Sequence, residues 1–148
     1  MSAPDVVAAR IGVTLAGVGV DAVDVNRFRQ ILARRPGFAA RYFTEAEQAD
    51  AHRAADPTES LAARFAAKEA VMKALGTGLG SFPLTDVEVR CTAGDGATRG
   101  APFIALHGAA ATVAGAHDAG LFHLSLTHTA HEAIAFVVAE RSSSCAPS

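Results

Sequence analysis

The chain has 148 residues, 50% of them apolar and 19% charged, which is enough for one domain with a real core and too little for two. A formal net charge of −2 excludes the broad basic field of a nucleic-acid binder, so any anion site has to be local. No apolar run approaches the ~18 residues of a membrane span, and two cysteines, Cys91 and Cys145, make a poor disulfide framework and suit a reducing compartment.

Residues 1–15 read as an N-terminal arm, 16–141 as the folded domain and 142–148 as a disordered Ser-rich tail. The arm carries Asp5 and Arg10 and no continuous apolar segment ending in a cleavage site, so the expected location is cytoplasmic. Residues 16–23, rich in Val, predict a strand. Asp24 is the expected N-cap of a helix through Phe28 and Leu32 to Arg35, stopped by Pro36-Gly37. Thr44-Glu45-Ala46-Glu47 has the form of a capping box and opens a short polar helix to about Ala55. Asp56-Pro57-Thr58-Glu59 is a stronger start signal and launches a long helix that ends at Gly76, an expected left-handed cap.

A Gly-rich loop, residues 77–81, follows. Residues 86–91 alternate as a strand, with Val87, Val89 and Cys91 on one face. A turn-rich crossing over 92–100 leads to a strand at 102–107 and an Ala-rich helix at 109–119. Strands 121–128 and 132–141 form a hairpin around Thr129-Ala130-His131. Helices early and hairpins late predict an α+β fold rather than a regularly alternating α/β one.

That helix is the informative element. With about 100° per residue, Leu61, Phe65, Met72 and Leu75 share one side and Ala63, Ala67, Ala70 and Ala74 line the other. A helix apolar or small all round is buried, yet Lys68, Glu69 and Lys73 ride on this one. The chain's 13 basic residues include only two lysines, Lys68 and Lys73, and both are here. Buried unpaired charge costs several kcal/mol or more, so these groups are expected to meet a ligand or a metal. Asp21, in an apolar strand, is a second acid of this kind. The plain structural alternatives are a strand-end turn contact for Asp21 and an i,i+4 pair with Lys73 for Glu69. Two acids with nearby lysines point to a hard divalent cation and phosphate oxygens. No His/Cys spacing suits zinc, and no Gly-x-Ser-x-Gly elbow or Walker loop is present. Glycines 76, 78 and 80 could let backbone approach a phosphate, or could simply close the helix.

Four motifs occur in order: Gly17-Val18-Gly19-Val20-Asp21; Arg41-Tyr42-Phe43-Thr44-Glu45; Arg64-Phe65-Ala66-Ala67-Lys68-Glu69-Ala70 with Lys73-Ala74-Leu75-Gly76-Thr77-Gly78; and Leu124-Ser125-Leu126-Thr127-His128. Together they resemble the 4′-phosphopantetheinyl transferases, in the holo-[acyl-carrier-protein] synthase branch, over residues 17–140. The resemblance implies transfer of 4′-phosphopantetheine from coenzyme A to a serine of apo-acyl carrier protein, with Mg²⁺ and release of adenosine 3′,5′-bisphosphate, in fatty-acid or polyketide synthesis. It also implies an α+β fold with an antiparallel sheet packed on the long central helix, and a homotrimer with sites at subunit interfaces; from charge and hydropathy, no nucleic-acid or membrane partner is expected.

Carried over residue by residue, Asp21 and Glu69 match the metal ligands and Lys73 the lysine near the reacting phosphate. Lys68, Arg64, Gly76, Gly78 and His128 match positions around the coenzyme, and Arg27 a basic position facing the carrier protein. Gly100-Ala101-Pro102 departs from the family, which often has a basic residue in the middle; Arg99 is the neighbouring basic side chain. Two rival readings remain: a coenzyme-binding module without transfer activity, and a structural subunit whose Lys68, Glu69 and Lys73 form inter-subunit ion pairs.

Overall fold

A computed structural model describes residues 15–93 and 100–142. The arm up to residue 14, Arg99 within the turn-rich crossing, and the tail from residue 143 with Cys145 lie outside the described residues. Strand β1 (Leu15–Asp24) runs directly into helix α1 (Val25–Arg34), where the Asp24 carboxylate accepts the Arg27 N–H at 2.7 Å. Helix α2 (Phe38–Tyr42) is absent from the sequence expectations. Five residues carry no readable helical period, and packing rather than propensity holds them. The Phe38 ring meets Phe28 at 5.7 Å and Phe65 at 5.8 Å.

Helix α3 (Glu45–His52) starts at the anticipated capping box, with Glu47 N–H donating to Thr44 Oγ and Thr44 N–H donating to Glu47 Oε2. It stops three residues short of the expected end. Helix α4 (Pro57–Ala74) begins on Asp56, whose Oδ1 accepts the Thr58 and Glu59 N–H groups. It closes as expected on Gly76 at φ 66°. Gly76 N–H donates to Lys73 O and Thr77 N–H to Met72 O, the paired bonds of a Schellman cap.

After a 3₁₀ turn at Leu84–Asp86, β2 (Val87–Cys91) pairs antiparallel with β3 (Pro102–Leu106) as a separate hairpin. Helix α5 (Gly108–Ala116) leads to β4 (Ala119–His128) and β5 (Glu132–Arg141). β5 sits between β1 and β4 in an antiparallel three-stranded sheet. Among the described residues, no helix is long and apolar enough to cross a membrane.

Helix α4 lies on the inner face of that sheet, against the fully buried Ala133, Ala135, Val137 and Ala139 of β5. Its own Ala62, Ala66, Ala67 and Ala70 are likewise fully buried. Small side chains on both partners let backbones meet. A Cβ added at Gly19 would lie 1.9 Å from Ala70 O, and one at Gly17 1.9 Å from Ala74 O. This contact sets the height at which β1 passes α4.

Helix α5 has no side-chain cap from its own N-cap residue, His107. Asp86 substitutes from the 3₁₀ turn, its Oδ2 accepting Ala109 N–H at 2.9 Å and Ala110 N–H at 3.4 Å. Asp86→Ala is expected to remove about 1 kcal/mol and lower Tm by roughly 3–5 °C, measured by thermal denaturation. Activity should be unchanged, because no hydrogen bond joins Asp86 or α5 to Asp21, Glu69 or Lys73.

Candidate active site

Pleating points Gly17, Gly19 and Asp21 of β1 to the same side, toward α4. Where the two glycines draw the strand in, Asp21 arrives beside the last turns of the helix. Lys73 Nζ donates to Asp21 Oδ1 at 2.7 Å and to Val20 O at 3.0 Å. The lysine thus reaches across to β1 rather than back to Glu69. Glu69, one turn earlier, is near enough to the Asp21 carboxyl for a proton on one to bond the other. Burial, then the Asp21 charge and that bond, push the Glu69 carboxyl up to about 7, against the opposing pull of Lys73. Lys73 is raised above its ordinary value, chiefly by its bond to Asp21.

Two carboxylates held together against their own repulsion, with an ammonium drawn to one of them, have the donor chemistry of a hard divalent cation site. Among the described residues, no three or more His, Cys, Asp or Glu side chains converge. A pair of acids is what Mg²⁺ typically takes, water and phosphate oxygens completing its shell. The residues present therefore fit that ion.

The other side chains expected here lie apart in a single chain. His128 Nε2 sits 3.2 Å from Glu59 Oε1, at the N-terminal end of α4. Ten residues of helix, about 15 Å, separate Glu59 from Glu69. Arg64, only 7% exposed, donates to Ser60 Oγ and Ser60 O and stands 3.9 Å from Asp50 of α3. Its Nε is buried without a partner. The same Asp50 also meets Arg53 and, at 3.3 Å, Arg90 of β2. Glycines 76 and 78 follow α4 with open space where a side chain would stand.

Lys68 corrects the expectation that buried charge on α4 must meet a ligand. It is fully buried, and its Nζ donates to Glu47 Oε2 at 2.8 Å, Leu84 O at 2.9 Å and Val87 O at 2.7 Å. All three protons of the ammonium are used inside the protein, so none is free for a phosphate. Glu47, the residue sequence reasoning missed, reads locally as a capping-box acid. Nothing within that short motif signals a second partner 21 residues away.

The Asp21–Glu69–Lys73 group and its fold define a class. A family model described as the 4'-phosphopantetheinyl transferase superfamily matches residues 17–135, and the chain belongs to that superfamily. A holo-[acyl-carrier-protein] synthase of Frankia alni is 48% identical over 126 residues, covering 85% of this chain and 98% of its own. The crystal structure of the Neisseria meningitidis holo-[acyl-carrier-protein] synthase has a TM-score of 0.76 at 30% identity, covering 86% of this chain and 99% of that one. That of the Bacillus anthracis synthase, in complex with CoA (3',5'-ADP), has a TM-score of 0.68 at 34% identity, covering 86% and 98%. Within the superfamily the chain is a transferase of the holo-[acyl-carrier-protein] synthase type.

Proposed function

We propose that the chain moves 4′-phosphopantetheine from coenzyme A to a serine of apo-acyl carrier protein, dependent on Mg²⁺ and releasing adenosine 3′,5′-bisphosphate. The observation that carries this reading is the pairing of Asp21 and Glu69 beside Lys73. A divalent ion held by the two acids would neutralise the coenzyme's diphosphate and make its phosphorus open to attack. Lys73, already aimed at this spot, stabilises charge on the departing bisphosphate and can supply it with a proton. A water held by the two acids, or Glu69 itself, can receive the serine hydroxyl proton. Positioning and electrostatics provide most of the acceleration, as in phosphoryl transfer generally.

Arg64 and His128, with the open backbone at Gly76 and Gly78, are the proposed coenzyme contacts. The groove beside α1, lined by Arg27, Gln30, Ile31, Arg34, Arg35 and Phe38, suits an acidic carrier protein: several guanidinium groups flank an apolar floor. The working form is proposed to be a cytoplasmic homotrimer with sites at its subunit boundaries. Two observations support that assembly. His128 lies far from Glu69 within one chain, and Val18, Val20 and Phe136 are exposed on the sheet face turned away from α4, an apolar patch that another copy would cover.

The test is incubation with apo-acyl carrier protein, coenzyme A and Mg²⁺. The expected result is a carrier heavier by one phosphopantetheinyl group, no such gain with a chelator, and sedimentation of the enzyme as three chains. Unmodified carrier in the presence of Mg²⁺ would leave a coenzyme-binding module as the better reading.

A further inference from the structure

The alanine face of helix α4, with Ala66, Ala67, Ala70 and Ala74 buried in the core, has little in its packing to fix its setting; its large contacts lie elsewhere, where Phe65 meets the rings of Phe28, Phe38, Tyr42 and Phe43. Hydrophobic contact is non-directional, and a face of alanines lacks the large ridges that lock one element into another's grooves. Sliding by one turn, about 5.4 Å, would still bury its small side chains but would carry Glu69 away from Asp21. The glycine approach of β1 limits this motion on one side. On the other side stand five directional hydrogen bonds. Lys68 makes three, to Glu47, Leu84 O and Val87 O. Glu47 accepts two more, from Thr44 N–H and Val89 N–H, each at 2.9 Å. The ammonium also lies 5.3 Å from the centre of the Phe43 ring.

We propose that the buried Glu47–Lys68 pair is a positioning device for the transfer reaction, holding α4 at the rotation and height at which Glu69 meets Asp21. This rests on the reading of Asp21 and Glu69 as the metal-holding acids. The pair joins α3, α4, the 3₁₀ turn and β2, and every polar atom in it is satisfied. A buried pair of this kind adds little net stability over apolar packing, and the best-attested use of one is to specify register. Lys68 and Glu69 are neighbours about 100° apart around the helix. Anchoring one therefore sets the direction in which the other points.

The experiment compares Lys68→Met, which keeps the length and loses the ammonium, with the core variant Leu106→Ala on β3. Three quantities are read: calorimetric Mg²⁺ affinity in the presence of coenzyme A, steady-state constants with apo-carrier protein, and Tm. Lys68→Met is expected to weaken Mg²⁺ binding and lower kcat by about tenfold each, with KM for coenzyme A at saturating Mg²⁺ little changed. Leu106→Ala should lose Tm without moving Mg²⁺ affinity. If Lys68→Met loses only Tm, the pair is structural and the proposal falls. If KM for coenzyme A rises while Mg²⁺ affinity stays put, Lys68 touches the coenzyme and the proposal falls as well. Should Lys68→Met fail to fold, the milder Lys68→Arg and Glu47→Gln decide the matter by the same Mg²⁺ measurement. Turnover retained in Glu69→Gln would instead sink the metal-site reading itself, a separate outcome.

Discussion

Glu69→Gln is expected to reduce turnover by about a thousandfold, ~4 kcal/mol of transition-state stabilisation, while making the metal-free protein more stable. Glutamine keeps the shape of the side chain and one acceptor oxygen, but it cannot bind a cation as a carboxylate does and cannot take a proton. The stability effect has the opposite sign because Glu69 sits against Asp21 in a half-buried place. Its carboxyl, pushed up to about 7, holds a proton in the folded chain that an unfolded chain releases near pH 4.3. With more protons on the folded form, stability falls as pH rises between about 4.5 and 7. In chelator, Tm of the parent protein should therefore decline across that window, and Glu69→Gln should flatten the decline. Mg²⁺ should restore Tm in the parent above pH 7 and do little for the variant. Near-parental turnover in Mg²⁺, or a parental pH–Tm curve, would remove Glu69 from the site. This trade of stability for activity is common where like charges are forced together.

Gly19→Ala is expected to damage both the fold and the reaction. The added Cβ would stand 1.9 Å from Ala70 O and 2.9 Å from Ala74 N, both backbone atoms of α4. No rotamer change relieves a clash with a helix backbone, so β1 has to withdraw. Overpacking typically costs about 1–3 kcal/mol, and the upper end is expected here, a large share of the ~5–15 kcal/mol that holds a domain. Asp21, two residues on and facing the same side, moves with the strand. Turnover per folded molecule should then drop at least about tenfold, with weakened Mg²⁺ binding. Leu106→Ala, on β3 and away from β1, should leave the Asp21 position alone and serves as control. Parental Tm and turnover in Gly19→Ala would show that the close approach does not set the site.

Much of this molecule is written in short stretches of chain. Asp24, Thr44 and Asp56 each cap the helix that follows, and Gly76 ends α4, because a cap bonds backbone groups only two to five residues away. Alternation in β2 and the all-round apolar character of α4 are local too. Asp21, Glu69 and Lys73 were legible as a set because acids and lysines on elements due for burial need partners. The family motifs supplied their order.

The partners themselves were not legible. Lys68 and Glu69 look alike to the sequence, two adjacent charges on a buried helix, yet one closes inward on Glu47 and the other opens toward Asp21. Helix α2 escaped notice for a related reason, since rings from α1 and α4 hold it. The sequence settled which of the longer elements form, where the capped helices begin, and that charge would be buried on the central helix. How that charge is divided between core and candidate site depended on contacts 21 to 53 residues apart in the chain. Local rules do not reach so far: such pairings exist only once β1, α3 and β2 have packed around α4.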